Sequence, residues 1–144
     1  MERRLQVLVL DDEAIVGKRL QPALAKVGCD VEIFDAPRPA LERLTEKTFD
    51  VVVTDIRMDE IDGIEVLERV QARSPATRVV LITGYATVEL AREAMAKGAF
   101  DFIAKPFKPQ ELREVIAKAA EALGFDSIAH AVARSEPRHE SDGD

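Results

Sequence analysis

Hydrophobic and polar positions along this chain follow two periods that exchange five times. Short runs rich in Val, Ile and Leu occur at Gln6–Leu10, Val31–Phe34, Val51–Thr54, Arg78–Thr83 and Phe100–Ala104. They are too brief for helices, and their nearly continuous apolar character is that of strands covered on both faces, as in parallel sheets. The second run differs: in VEIF apolar and polar residues alternate, which suits a strand nearer the sheet edge.

The intervening segments carry the helical period. Ala14–Val27 closes with Gly28, a residue suited to the left-handed position after a helix. Asp35 and Pro39 open a second helix that runs to about Lys47. After the polar loop Arg57–Asp62, Gly63 starts a third helix with Ile64, Leu67 and Val70 as its inward stripe, and Ser74-Pro75 ends it. Val88, Ala91, Ala94 and Met95 line the fourth helix before Gly98. Pro109 begins the fifth, with Leu112, Val115, Ile116 and Ala119 facing in and Gly124 at its end.

Five βα units with short connections, joined by right-handed crossovers, predict an α/β fold: a doubly wound, flavodoxin-like five-stranded parallel sheet in the order 2-1-3-4-5 with helices on both faces. Residues 1–124 form this domain and 125–144 a C-terminal tail. Phe125, Ile128, Ala129 and Val132 keep a helical period in the tail, either packing back on the domain or adding to a docking face. Its last ten residues, SEPRHESDGD, are charged, apolar-poor and expected to be disordered.

Composition narrows the class. Hydrophobic residues make up 47 % of the 144 residues, with no Trp and one Tyr, so the core must be aliphatic. A net charge of −7 argues against a nucleic-acid footprint. Cys29 has no internal partner and reads as a small buried filler; His130 and His139 are too isolated to be ligands. No apolar run approaches bilayer length, and Arg3 and Arg4 lack the apolar stretch that an export signal needs, so the expected location is cytoplasmic.

The candidate chemistry lies where the strands stop. Asp11 and Asp12 follow VLVL, Asp55 follows VVVT, Thr83 ends VVLIT and Lys105 follows FDFIA, so all emerge at the carboxyl edge of one sheet, where open α/β sheets bind ligands. Taken singly, Asp12 could cap the first helix and Thr83 could satisfy a turn. Together, three convergent carboxylates either share a proton or hold a divalent cation, and oxygen-only ligation points to Mg²⁺. The ammonium and hydroxyl add donors for phosphoryl oxygens. Asp55, alone after the central strand, is the natural nucleophile, with Asp11 and Asp12 as the metal pair and an aspartyl phosphate as product.

These residues, carried by VLVLDDE, VVVTDIRMDEIDGIEVL, VVLITGYA and AMAKGAFDFIAKPF, closely resemble the receiver domain of two-component response regulators over about Leu5–Leu123. The ending GAFDFIAKPF is most similar to the nitrogen-regulatory type. The resemblance implies that Asp55 accepts a phosphoryl group from a sensor histidine kinase or histidine phosphotransfer protein. It implies that Asp12, Asp55 and the Arg57 backbone carbonyl ligate Mg²⁺ while Asp11 acts through water. Thr83 and Lys105 would bind the phosphoryl oxygens, Thr83 and Phe102 would form the switch, and Arg57 and Tyr85 would tune the phosphate's lifetime. Such a domain is a phosphoacceptor, not an enzyme in the usual sense.

Two departures qualify the resemblance. Met58 is followed by Asp59 where many receivers have Pro, and Glu111 is followed four residues later by Val115 where the winged-helix subfamily carries Arg. That subfamily's charged dimer interface is therefore not expected. The chain past Leu123 is too short for an output domain, which suggests a stand-alone receiver, monomeric or dimerising on phosphorylation. It would act on a downstream protein through the face of the fourth helix, fifth strand and fifth helix. The alternative is a degenerate receiver that binds proteins without phosphorylation. A haloacid-dehalogenase-like phosphatase would need an acid where Arg57 stands. A flavodoxin-like or nucleotide-binding module would need a phosphate cradle in place of the acidic DDEA.

Overall fold

The computed structural model describes residues 3–135. Strands β1 (Leu5–Leu10), β2 (Cys29–Phe34), β3 (Val51–Asp55), β4 (Arg78–Thr83) and β5 (Asp101–Ala104) alternate with helices α1 (Ala14–Ala25), α2 (Pro37–Glu46), α3 (Gly63–Arg73), α4 (Val88–Ala96) and α5 (Pro109–Ala122). A further helix, α6 (Asp126–Ser135), follows. All strand pairs are parallel in the order β2-β1-β3-β4-β5, the expected flavodoxin-like sheet.

Alternate residues of each central strand point to opposite faces, and both faces are covered. Leu5, Val7 and Val9 of β1 join Val51, Val53, Val80 and Ile82 against Leu20 and Leu24 of α1 and Leu112 and Ile116 of α5. Leu8 and Leu10 join Val52, Val79 and Leu81 against Ala40 of α2, Leu67 and Val70 of α3 and Ala94 of α4. This double coverage is why the central strands read as unbroken apolar runs. The edge strands β2 and β5 are only partly buried. Cys29 is 1 % exposed within the first cluster, and burial pushes its thiol up to about 12, as suits a filler.

Several boundaries move. β2 begins at Cys29, because that residue pairs with Leu5. α1 ends at Ala25, two residues short of the expected Val27, while Gly28 takes the left-handed conformation expected of it, φ 104°. α2 begins at Pro37, two residues before Pro39, which falls within the same first turn. α4 requires a correction: Val88 and Met95, expected inward, are 62 % and 48 % exposed, while Ala94 is buried and Leu90 packs against the second cluster. Glu89, Arg92 and Glu93 mark its polar face, but the apolar arc opposite is wider than the stripe that packs, so Val88 and Met95 fall at its exposed edge. The Thr87 cap, whose Oγ1 accepts the Leu90 N–H at 3.0 Å, sets where it starts.

The tail's helical period is realised as α6. Phe125, Ile128 and Val132 join the cluster under α1 and α5, with Ile128 against Gly28 and the Arg3 guanidinium 4.5 Å from the Phe125 ring centre. This is packing on the domain. His130 is exposed on α6. His139 and, beyond Ser135, the segment expected to be disordered lie outside the described residues.

Candidate functional site

The site is built by register. Leu10 pairs with Thr54, Asp55 with Ile82 and Thr83 with Ala104, so the next residues of β1, β3, β4 and β5 leave the sheet along one edge. The Asp11 N–H donates to the Phe34 carbonyl at 3.0 Å and the Lys105 N–H to the Thr83 carbonyl at 2.8 Å, extending the ladder to the residues that carry the chemistry. The Lys105-Pro106 bond that follows is cis.

Sequence expectation and geometry meet on Asp11, Asp12 and Asp55, whose carboxylate oxygens lie within 4.8 Å of one another. Asp11 is 2 % exposed and Asp55 5 %, whereas Asp12 faces solvent. The Lys105 ammonium stands 2.8 Å from Asp11 Oδ2 and 3.0 Å from Asp55 Oδ2. It also stands 2.7 Å from Glu13 Oε1. Thr83 is fully buried, and its Oγ1 accepts the Tyr85 N–H at 3.0 Å. That is the turn role open to it from sequence, and a hydroxyl that accepts there still has its own O–H to donate. Asp12 is not the helix cap: the N-cap of α1 is Glu13, and Asp11 Oδ1 accepts the Glu13 N–H at 2.8 Å.

Burial raises the Asp11 carboxyl above its ordinary value and the Asp55 charge adds to it, while Lys105 pulls it back. Asp12 is raised by the same two causes, burial first. Burial works against the Lys105 ammonium, but its three carboxylate neighbours outweigh it and hold the group charged. Asp11 Oδ2 is enclosed and, though at ion-pair distance from Lys105, accepts no well-formed hydrogen bond. A buried carboxylate oxygen short of a donor, among other carboxylates, suits a hard divalent cation with oxygen ligands such as Mg²⁺.

Arg57 and Tyr85 cover the mouth. The Arg57 guanidinium sits 4.6 Å from the Tyr85 ring centre, and the Arg57 backbone N–H donates to Asp55 Oδ1 at 3.3 Å. Both residues, with Asp12, Asp55 and Lys105, line a cleft of about 820 Å³. A larger groove of about 990 Å³ runs between α2 and α3 and holds none of the carboxylates. Phe102 packs against the α2–α3–α4 cluster, paired with Leu81 and so two positions back from the Thr83 register.

Two residues of the site were not singled out from sequence. Glu13 was legible only as the third of three consecutive acids. Gly63 read as a helix start, but it also lets α3 approach the end of β3. Its N–H donates to the Ile56 carbonyl at 2.8 Å, and a Cβ there would fall on the Asp55 carbonyl oxygen and lie 2.8 Å from Ile56 Cα.

A doubly wound sheet with an acidic triad, a hydroxyl and an ammonium at its carboxyl edge is a receiver-type arrangement. The chain belongs to the response regulator receiver domain family, whose model matches residues 7–117. It is 37 % identical over 133 residues to the transcriptional regulatory protein ZraR of Escherichia coli strain K12, covering 92 % of this chain and 30 % of that protein. The beryllofluoride-activated NtrC4 receiver domain dimer superposes with a TM-score of 0.77 at 32 % identity, over 81 % of this chain and 97 % of that one. A CheY-like receiver domain protein of Methanospirillum hungatei JF-1 gives 0.79 at 26 % identity, over 83 % and 96 %. The likeness is to nitrogen-regulatory-type receivers. The chain spans less than a third of ZraR.

Proposed function

We propose that this receiver takes a phosphoryl group onto Asp55 from the phosphohistidine of a sensor kinase or phosphotransfer protein, and that the modification switches its binding to a downstream protein. The observation carrying this reading is the convergence of Asp11, Asp12 and Asp55, with the Lys105 ammonium paired to both Asp11 and Asp55. An Asp55 carboxylate oxygen attacks phosphorus; the P–O bond forms as the P–N bond breaks, and the imidazole leaves with its electron pair. Bound Mg²⁺ would neutralise charge building on the phosphoryl oxygens. Asp12, Asp55 and the Arg57 carbonyl are its ligands in this reading, with Asp11 acting through water. Lys105 and the Thr83 hydroxyl take the remaining phosphoryl oxygens.

Signal leaves the site as Thr83 turns from the Tyr85 N–H toward the phosphoryl group and Phe102 follows inward. The receiving surface is the α4–β5–α5 face, where Val88 and Met95 already stand exposed. Among the described residues no helix is long and apolar enough to cross a membrane, and we place the reaction in the cytoplasm. An endogenous product of 15.9 kDa would mark a stand-alone receiver.

Intact mass after incubation with acetyl phosphate and Mg²⁺ tests the reading. One phosphoryl group is expected on the native chain, removed by hydroxylamine and absent from Asp55→Asn and from the chelated control. No adduct under any condition, with an authentic kinase included, would leave a module that binds without phosphorylation.

A further inference from the structure

We propose that Glu13 is a positioning residue that draws the Lys105 ammonium away from Asp55 and holds it at the mouth of the site. Three carboxylates share this one ammonium: Asp11 at 2.8 Å, Asp55 at 3.0 Å and Glu13 at 2.7 Å. Two of them are buried members of the acidic triad, and the third is a 61 % exposed side chain outside it. While Lys105 sits on Asp55 Oδ2 it occupies the oxygen that must ligate a cation or attack phosphorus. Lys105 has to vacate that oxygen for either event, and an ammonium in a partly buried place leaves only toward another anion. Glu13 supplies that anion from the N-cap position of α1, at the position Lys105 already holds.

The consequence is a competition. With Glu13 present, the triad shares Lys105 and opens to a divalent cation at little cost. With Glu13 neutralised, the ammonium settles wholly on Asp11 and Asp55, and cation binding must break both pairs. The inference rests on the triad being the cation seat.

The test is Mg²⁺ binding by calorimetry, with no phosphodonor, to the full chain, Glu13→Gln, Lys105→Met and the double variant. Glu13 makes no side-chain cap contact, so Glu13→Gln is expected to fold normally, as circular dichroism will report. Glu13→Gln should weaken Mg²⁺ binding about three- to tenfold in the parent chain and less than about twofold in the Lys105→Met background. An equal loss in both backgrounds would reduce Glu13 to a remote charge and overturn the proposal. Tighter binding in Glu13→Gln would overturn it too, since Glu13 would then be locking Lys105 onto the triad. Absence of saturable Mg²⁺ binding by the parent chain would instead defeat the cation seat on which the inference stands.

Should Lys105→Met unfold, the ε-ammonium resonance of labelled Lys105 decides. On Mg²⁺ addition it should keep an ion-paired position in the parent and lose it in Glu13→Gln. Identical behaviour in the two chains counts against the proposal.

Discussion

At Asp11 and Asp12 the fold favours protonation, because burial raises both carboxyls and the Asp55 charge adds to it. Above the ordinary carboxylate value of 3.8 the native state therefore keeps protons that the unfolded chain has lost. Stability of the metal-free protein falls as pH rises through that window. Glu13 is lowered by Lys105 and pulls the other way, but it is exposed and its share is small. A cation must displace the retained protons, so the stabilisation given by Mg²⁺ grows over the same window. Urea midpoints with chelator and with Mg²⁺, from about pH 4.5 to about pH 7.5, should diverge as pH rises; a constant gap would show that the triad is not proton-loaded. The Arg57–Tyr85 stack argues a second outcome. A cation–π contact holds two side chains at the mouth of the cleft that Asp55 lines, where they would slow the approach of water. Arg57→Ala and Tyr85→Ala should each speed loss of the phosphoryl group about two- to fivefold, a contact of about 0.5–1 kcal/mol, with the double variant no faster than either. Unchanged decay would remove both from the role. At this scale Asp11, Asp12, Asp55, Thr83 and Lys105 were legible because each closes an apolar run. Glu13 was not, since a third acid entering a helix has the appearance of a solvated first turn, and only the 2.7 Å pair across 92 residues gives it another part.

Elements carry the site only as accurately as they abut, and the β3–α3 junction is the tightest place. Gly63 begins α3 with its Cα against the Asp55 carbonyl, where any Cβ would collide with backbone and not with a side chain able to move aside. Gly63→Ala should cost about 1–3 kcal/mol and displace Asp55, so that phosphorylation slows even in the folded fraction. The urea midpoint checks the first effect and labelling at low denaturant the second; full stability with normal labelling would show that the junction yields. The sequence placed Gly63 as a helix start but held no signal for the close approach, which is a distance between two elements and not a pattern within one. α4 shows the same limit. Its apolar arc is wider than the stripe that packs, so periodicity did not separate the middle of the face from its edge, and packing of Leu90 and Ala94 leaves Val88 and Met95 to solvent. β4, apolar throughout and capped by Thr83, offered no such ambiguity.

For the molecule as a whole, α6 decides where the domain ends. The periodic apolar residues of the tail permitted either packing or docking from sequence, because an amphipathic stripe names its own face and not the surface that meets it. Ile128 is 2 % exposed and Val132 3 %, and Phe125 closes the same cluster with Arg3 over its ring. Gly28 leaves the space that Ile128 fills, and its φ of 104° bars a side chain there on conformational grounds as well. The helix thus seals the lower end of the α1–α5 face, far along the sheet from Asp55. Ile128→Ala removes buried volume with no access to the site and should cost about 2–4 kcal/mol. Ending the chain at Gly124 should cost at least as much, since it removes the buried side chains of Phe125, Ile128 and Val132 and exposes the residues beneath them. In both cases acetyl phosphate should still label Asp55 in the folded protein, because Phe125, Ile128 and Val132 pack in the cluster under α1 and α5 and not among the carboxylates. Lost stability with labelling retained assigns α6 to the core of this receiver. Unchanged stability in both variants, with partner binding lost, would make it a docking element that merely rests on the domain.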